Sequence, residues 1–153
     1  MTPAGYLYII INNMDTLSLV IAIEEIGKVC ASTAATMMAH TSLGTAPIAL
    51  FGTEKQKEKY LPRLATGEMI GAFGLTEPTA GSDAGNTQTK AKVSGNSFIV
   101  NGQKAFCTNA GVAGVIIFTA KLIDENGEDQ GIGAFITEKD TPGLTLGKPE
   151  KKM

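Results

Sequence analysis

The sequence predicts an α+β protein: antiparallel helices in its first part and an antiparallel β-barrel or sandwich in its second. Three observations predict this. Glycine is uneven, with 5 of the 18 in residues 1–70 and 13 in residues 71–153. Apolar residues of the first part recur at three- and four-residue spacing, the period of one helix face. The second part breaks into short β-rich runs separated by turn residues. Each part carries a net charge of −1, so the division is structural rather than electrostatic.

Taken in order, the first helix is capped by Asp15 or Thr16, and Leu19, Ile23, Ile26 and Cys30 recur along one face. Ser32 or Thr33 restarts a second helix through Ala34, Ala35, Met37 and Met38, whose small residues suit close packing, until Gly44 breaks it. Residues 46–51 make a short helix closed by Gly52. Thr53-Glu54-Lys55-Gln56 matches a capping box, in which the Thr hydroxyl and the Gln amide satisfy each other's orphan N–H groups. That helix runs to about Leu64, presents Tyr60 and Leu61 inward, and stops at Thr66-Gly67. Strands are expected at 70–76, 89–93, 97–100, 105–108, 115–121, 133–137 and 143–146. Asn101-Gly102 is read as a tight hairpin turn, because that dipeptide accepts positive φ angles.

With 153 residues, the chain is long enough to bury roughly 68–70% of its unfolded surface. Its 43% hydrophobic and 18% charged residues exclude a disordered reading. Thirteen basic against fifteen acidic residues leave no electrostatic footprint for nucleic acid or an anionic membrane. No apolar run approaches the length that spans a bilayer. Cys30 and Cys107 lie 77 positions apart, and His40 is the single histidine. No structural zinc site is assembled from these, and two lone thiols fit a reducing compartment, with buried, inert cysteine as the default. Near the start, Tyr6-Leu7-Tyr8-Ile9-Ile10-Ile11 is a short β-type run. No Lys or Arg precedes it, so it is not read as a secretory signal, and no Arg-rich transit peptide is seen.

Two stretches carry chemistry. Gly74-Leu75-Thr76-Glu77-Pro78-Thr79-Ala80-Gly81-Ser82-Asp83-Ala84-Gly85 follows a strand and concentrates hydroxyls and glycines. Such a loop offers N–H and O–H donors to an anion; the alternative is an ordinary polar connection with Asx and Ser turns. It is not a nucleophile elbow, because Ser82 stands second rather than third, and His40 is too remote for a triad with Ser82 and Asp83. Gly131-Ile132-Gly133 lacks the third glycine of a dinucleotide fingerprint, which Ile136 replaces. The second stretch is Asn101-Gly102-Gln103-Lys104-Ala105-Phe106-Cys107-Thr108-Asn109. On a strand, Phe106 and Thr108 share one face and Cys107 the other. Phe106 could stack on a planar heterocycle and Thr108 could donate to a ring nitrogen; the alternative makes Phe106 core and pairs Thr108 across strands.

Together, Phe73-Gly74-Leu75-Thr76-Glu77-Pro78, Gly81-Ser82-Asp83, Asn101-Gly102-Gln103-Lys104 and Thr108-Asn109 resemble the flavin-dependent acyl-CoA dehydrogenases. Ile21-Ala22-Ile23-Glu24-Glu25, Phe51-Gly52-Thr53-Glu54-Lys55-Gln56-Lys57 and Thr141-Pro142-Gly143-Leu144 resemble the same family, nearest its short-chain or butyryl-CoA branch. The resemblance covers residues 14–152. It implies a partial helical N-terminal domain at 14–70 and a partial, flavin-facing β-barrel middle domain at 71–153, with the C-terminal four-helix domain missing.

The resemblance also implies FAD as cofactor and oxidation of a short-chain acyl-CoA to the trans-2-enoyl-CoA. Phe73, Leu75 and Thr76 line the flavin ring. Gly81 and Ser82 hold its pyrophosphate, and Ser82 also touches the acyl-CoA substrate. Phe106 stacks on the ring and Thr108 bonds near the nitrogen that accepts hydride. Cys107, in the same cofactor segment, faces away from the ring. The loop Thr41-Ser42-Leu43-Gly44 approaches the acyl pocket. The family's partners are an electron-transfer flavoprotein and, as a homotetramer, other copies of itself. Its setting is the bacterial cytoplasm, with the mitochondrial matrix as the alternative. The catalytic glutamate belongs to the C-terminal domain, and none of the ten glutamates here matches it. The expectation is an internal fragment, inactive alone and exposing apolar surface meant for absent helices; a non-catalytic flavin-binding module or a gene remnant are the alternatives.

Overall fold

The computed structural model describes residues 16–150. The capping position expected at Asp15 and the apolar run at 6–11 lie outside the described residues. Helix α1 (Thr16–Val29) meets α2 (Ala31–Met38) across a single extended residue, Cys30, with φ −151° and ψ 103°. Cys30 therefore does not continue the apolar stripe of α1. It is exposed rather than buried, and α2 starts at Ala31 rather than at the expected hydroxyl. A Cβ on Gly27 would lie 3.7 Å from the Ala34 Cβ, so the two helices pack closely through small residues.

Gly44 does not end the second helix. The chain passes from α2 into a π-helical turn (Ala39–Thr45) and straight on into α3 (Ala46–Phe51). The Thr45 hydroxyl donates to the His40 carbonyl at 2.8 Å and the Ser42 hydroxyl to the Met38 carbonyl at 2.6 Å. Hydroxyls bonded back to the preceding turn favour a widened ladder. Thr41-Ser42-Leu43-Gly44, expected as a loop, is thus part of this turn. Gly52 closes α3 as expected, its N–H donating to the Ile48 carbonyl at 2.9 Å. The capping box is present: the Thr53 N–H donates to Gln56 Oε1 at 2.8 Å and the Gln56 N–H to Thr53 Oγ1 at 3.3 Å. It opens α4 (Glu54–Ala65), which buries Tyr60, Leu61 and Leu64.

The strands are β1 (Gly71–Gly74), β2 (Lys90–Ser94), β3 (Ser97–Asn101), β4 (Val115–Ile123) and β5 (Asp129–Glu138). They form one five-stranded mixed sheet, not an antiparallel one. β4 is its axis. β5 runs antiparallel along one edge. The other edge takes β1 in parallel at Val115 to Phe118 and β2 in parallel at Lys121 to Ile123. Composition and turn signals do not encode this, because β1 and β2 are joined only through a third strand far along the chain.

The hairpin between β2 and β3 turns at Gly95, where φ is +57°, rather than at Asn101-Gly102. Asn101 still pairs with Lys90. Gly102 answers a packing demand instead, since a Cβ there would fall 2.3 Å from Thr89 Oγ1. Residues 105–108 and 143–146 are not strands.

The main core joins both parts of the chain. Ile48, Tyr60, Leu61 and Leu64 from the helices pack with Met69 and with Val115 and Ile117 of β4. Helix and sheet come into close backbone contact at two glycines: a Cβ on Gly44 would lie 2.4 Å from the Gly71 carbonyl carbon.

Candidate functional site

The two motif stretches meet along the outer edge of β1. The Ala105 N–H donates to the Thr76 carbonyl at 2.7 Å. Asn109 Nδ2 donates to the Gly71 carbonyl at 3.4 Å, and the Cys107 thiol lies beside the Phe73 backbone. Residues 105, 107 and 109 therefore run antiparallel beside 76, 73 and 71. One of the two hydrogen bonds comes from a side chain, so no ladder forms. Phe106 has φ +55° and Asn109 φ +71°, which breaks strand geometry; Asn adopts such angles more readily than most residues.

The expected alternation survives this change. Phe106 is 68% exposed, so it is not core; Thr108 is exposed and Cys107 half-buried. Cys107 packs with Ala72, Ala113 and Ile116. Burial pushes its thiol pKa up, partly offset by the Phe73 backbone, so it stays a neutral thiol.

The remaining site positions fall on both sides of this edge. Leu75 is exposed and Thr76 half-buried. Phe73 is divided, its half-buried ring packing on the main core. Gly81 and Ser82 are exposed just beyond a tight turn, in which the Glu77 N–H donates to the Ala80 carbonyl at 2.9 Å. A Cβ on Gly81 would meet nothing within 4 Å. The loop thus lies open, with a hydroxyl beside it.

Sequence reasoning gave no role to the residue that organises this loop. Glu77 is 5% exposed. It accepts from the Thr87 hydroxyl, from the N–H groups of Gln88 (2.6 Å) and Thr89 (3.1 Å), and from Lys104 Nζ (2.6 Å). Burial works against its ionisation, but Lys104, Thr87, Thr89 and Gln88 together outweigh it and hold the carboxyl far below its usual range. The Lys104 ammonium also donates to the Leu75 carbonyl at 3.1 Å and to Thr119 Oγ1 at 3.3 Å. One ion pair thereby ties both motif stretches to β4. The only trace in the sequence is one carboxylate and one ammonium 27 residues apart, a separation that no local pattern links.

His40 is not near Ser82 or Asp83 in any bonded sense. Its partners are the Gly71 N–H, which donates to Nδ1 at 3.0 Å, and the Leu64 carbonyl, 3.2 Å from Nε2. Among the described residues, no group of three or more His, Cys, Asp or Glu side chains could hold a metal. No helix there is long and apolar enough to cross a membrane.

Residues 10–68 match the family model described as acyl-CoA dehydrogenase, N-terminal domain, and residues 72–153 the one described as acyl-CoA dehydrogenase, middle domain. The short-chain specific acyl-CoA dehydrogenase of Clostridium acetobutylicum is 49% identical over 139 residues, which is 91% of this chain and 36% of that protein. The solved butyryl-CoA dehydrogenase of Megasphaera elsdenii superposes with a TM-score of 0.82 at 47% identity, over 90% of this chain and 36% of the other. An acyl-CoA dehydrogenase of Bacillus anthracis, solved in complex with FAD, matches at TM-score 0.78 and 42% identity over 88% of this chain and 23% of its own. The chain spans about a third of the length of the curated relatives it matches. By both family models and these identities, the chain belongs to the acyl-CoA dehydrogenase family.

Proposed function

We propose that this chain forms one wall of the flavin site of a short-chain acyl-CoA dehydrogenase, with a partial helical domain at 14–70 and a partial β-barrel middle domain at 71–153. The observation that carries the reading is the antiparallel run of 105–109 along the free edge of β1, which gathers Leu75, Thr76, Phe106 and Thr108 at one edge. The donor set fits FAD: an exposed aromatic ring, hydroxyls at Thr76 and Thr108, and an open glycine–serine loop.

Phe106 stacks on the flavin ring, and Phe73, Leu75 and Thr76 line its pyrimidine edge. Thr108 donates to the ring nitrogen, and Cys107, in the same segment, faces away from the ring. Gly81 and Ser82 hold the pyrophosphate through N–H and O–H donors, Ser82 also meeting the acyl-CoA. When bound, FAD supplies an acceptor for the hydride from the substrate β-carbon. The α-proton goes to a base outside this chain. Glu77 sits beside the edge but is locked in its ion pair, and Glu138 is held by Lys59 at 2.5 Å and Tyr60 at 2.9 Å.

The test is a titration of the 153-residue chain with FAD, followed by flavin fluorescence, together with dye reduction by butyryl-CoA. One wall with one aromatic stack should bind weakly, at about 0.1–1 mM. Phe106→Ala should abolish that binding, and no dye should be reduced. Binding indifferent to Phe106→Ala would remove the flavin assignment. Dye reduction would place the base within the chain.

A further inference from the structure

In the strand carrying Phe73, β4 pairs one edge and leaves Gly71 with its N–H and carbonyl on the other. Both groups are taken by side chains. The N–H donates to His40 Nδ1 at 3.0 Å, and the carbonyl accepts from Asn109 Nδ2 at 3.4 Å, which also donates to the Thr36 carbonyl at 3.0 Å. Gly44 closes on Gly71 with no room for a side chain on either residue. An Nδ1 that accepts carries no proton, so the proton is on Nε2, which donates to the Leu64 carbonyl at 3.2 Å. Only the neutral, Nε2-protonated ring satisfies both contacts. An imidazolium would set N–H against N–H at Gly71.

We propose that His40 and Asn109 are positioning residues: they latch the outer edge of β1 at Gly71 and so set the strand bearing Phe73, and protonation of His40 opens the latch. The link to cofactor geometry rests on the flavin reading above; the latch itself does not.

Among the described residues, nothing charged compensates an imidazolium here. The cleft beside His40 is lined from α2 by Thr33, Thr36 and Met37 and from the end of α4 by uncharged residues 64–67 and Ile70. Arg63 and Glu68, which flank that end, pair with each other at 2.7 Å and are exposed. From the sheet side the ring meets the Gly71 N–H, with the Asn109 amide as the adjacent polar side chain. Burial lowers the His40 pKa and the Leu64 carbonyl offsets part of that. A base with a lowered folded pKa stays neutral below the ordinary value of about 6.5. The unfolded chain takes up the proton first, so stability is lost as pH falls from about 6.5 toward the folded pKa. The latch opens at that lower pH.

The experiment is nuclear magnetic resonance of the full chain from pH 8 to pH 5, reading the His40 ring nitrogens and amide exchange at Gly71, Phe73 and Ile117. At pH 8 His40 should show the Nε2-protonated tautomer. Its titration midpoint should fall below the ordinary value, with Gly71 and Phe73 exchange accelerating about tenfold with the same midpoint, the scale of one lost hydrogen bond. Ile117, in β4, should not follow. His40→Asn keeps an acceptor near Nδ1 without a titration, so its Gly71 protection should hold across the range; His40→Phe should lose it at every pH. The opposite tautomer, or Gly71 exchange indifferent to the His40 charge, overturns the latch. FAD added at pH 8 separates the two readings. An intact latch with no FAD-induced shift at Leu75 or Thr76 supports the latch and overturns the flavin wall.

Discussion

Replacing Lys104 with Met should cost this chain about 3 kcal/mol. The side chains of Lys104 and Glu77 are 13% and 3% exposed, so solvent screens their attraction little. Breaking a buried pair by removing one partner costs about 3–5 kcal/mol, because the other charge is left uncompensated. Three donors remain for Glu77, from Thr87, Gln88 and Thr89, which places the loss at the lower end. Methionine nearly matches the unbranched stem in volume, so packing contributes little. Urea unfolding followed by circular dichroism at pH 7 reads the loss directly. The double variant Glu77→Gln/Lys104→Met should be about 2 kcal/mol less destabilised than the sum of the single changes, since the uncompensated charge is gone. The pH dependence has a definite sign. A depressed carboxylate contributes stability present above the ordinary glutamate pKa of about 4.3 and lost as pH falls through the folded value. The gap between parent and Lys104→Met should therefore narrow from pH 5 to pH 2. Additive single changes, or a gap that widens in acid, would refute the assignment of this pair as the tie between the two motif stretches.

Four further outcomes follow from packing and capping. Gly44→Ala would push a Cβ to 2.4 Å from the backbone of Gly71, so the thermal midpoint should drop by the equivalent of about 1–3 kcal/mol or more. Gly147→Ala, with nothing within 4 Å, should stay within about 0.5 kcal/mol of the parent. Thr53→Ala removes the acceptor for the Gln56 N–H and should cost about 1 kcal/mol in urea unfolding. Ile117→Ala, at 2% exposure in the core shared by helices and sheet, should cost about 2–5 kcal/mol by the same measurement.

The elements most legible in the sequence were those held by bonds between near neighbours. The capping box at Thr53 and Gln56, the stop at Gly52 and the inward pair Tyr60 and Leu61 each depend on residues within a turn or two, and each is found. Of the candidate site, the two stretches singled out in the sequence, 73–82 and 101–109, do meet in the fold. How they meet was not legible. The expected strand at 105–108 is an irregular segment held by the Ala105 N–H and the Asn109 amide, and Asn101-Gly102 is a close approach to Thr89 rather than a turn. Both readings applied local propensity where distant contacts decide, as they do for the parallel pairing of β1 and β2 on β4.

By itself, the sequence determined the helical and β-rich parts, most element boundaries and the family, and it singled out the two stretches that meet beside β1. Periodicity, capping and turn chemistry act over a few residues, and motif order is written along the chain. Only the tertiary structure decided the mixed sheet, the π-helical turn across Gly44, the Glu77–Lys104 tie and the grip of His40 and Asn109 on Gly71. The Glu77–Lys104 tie and the grip on Gly71 join groups 27 to 38 residues apart. Their partners are chosen by which buried donors and acceptors the folded chain leaves unpaired, and no local pattern records that choice.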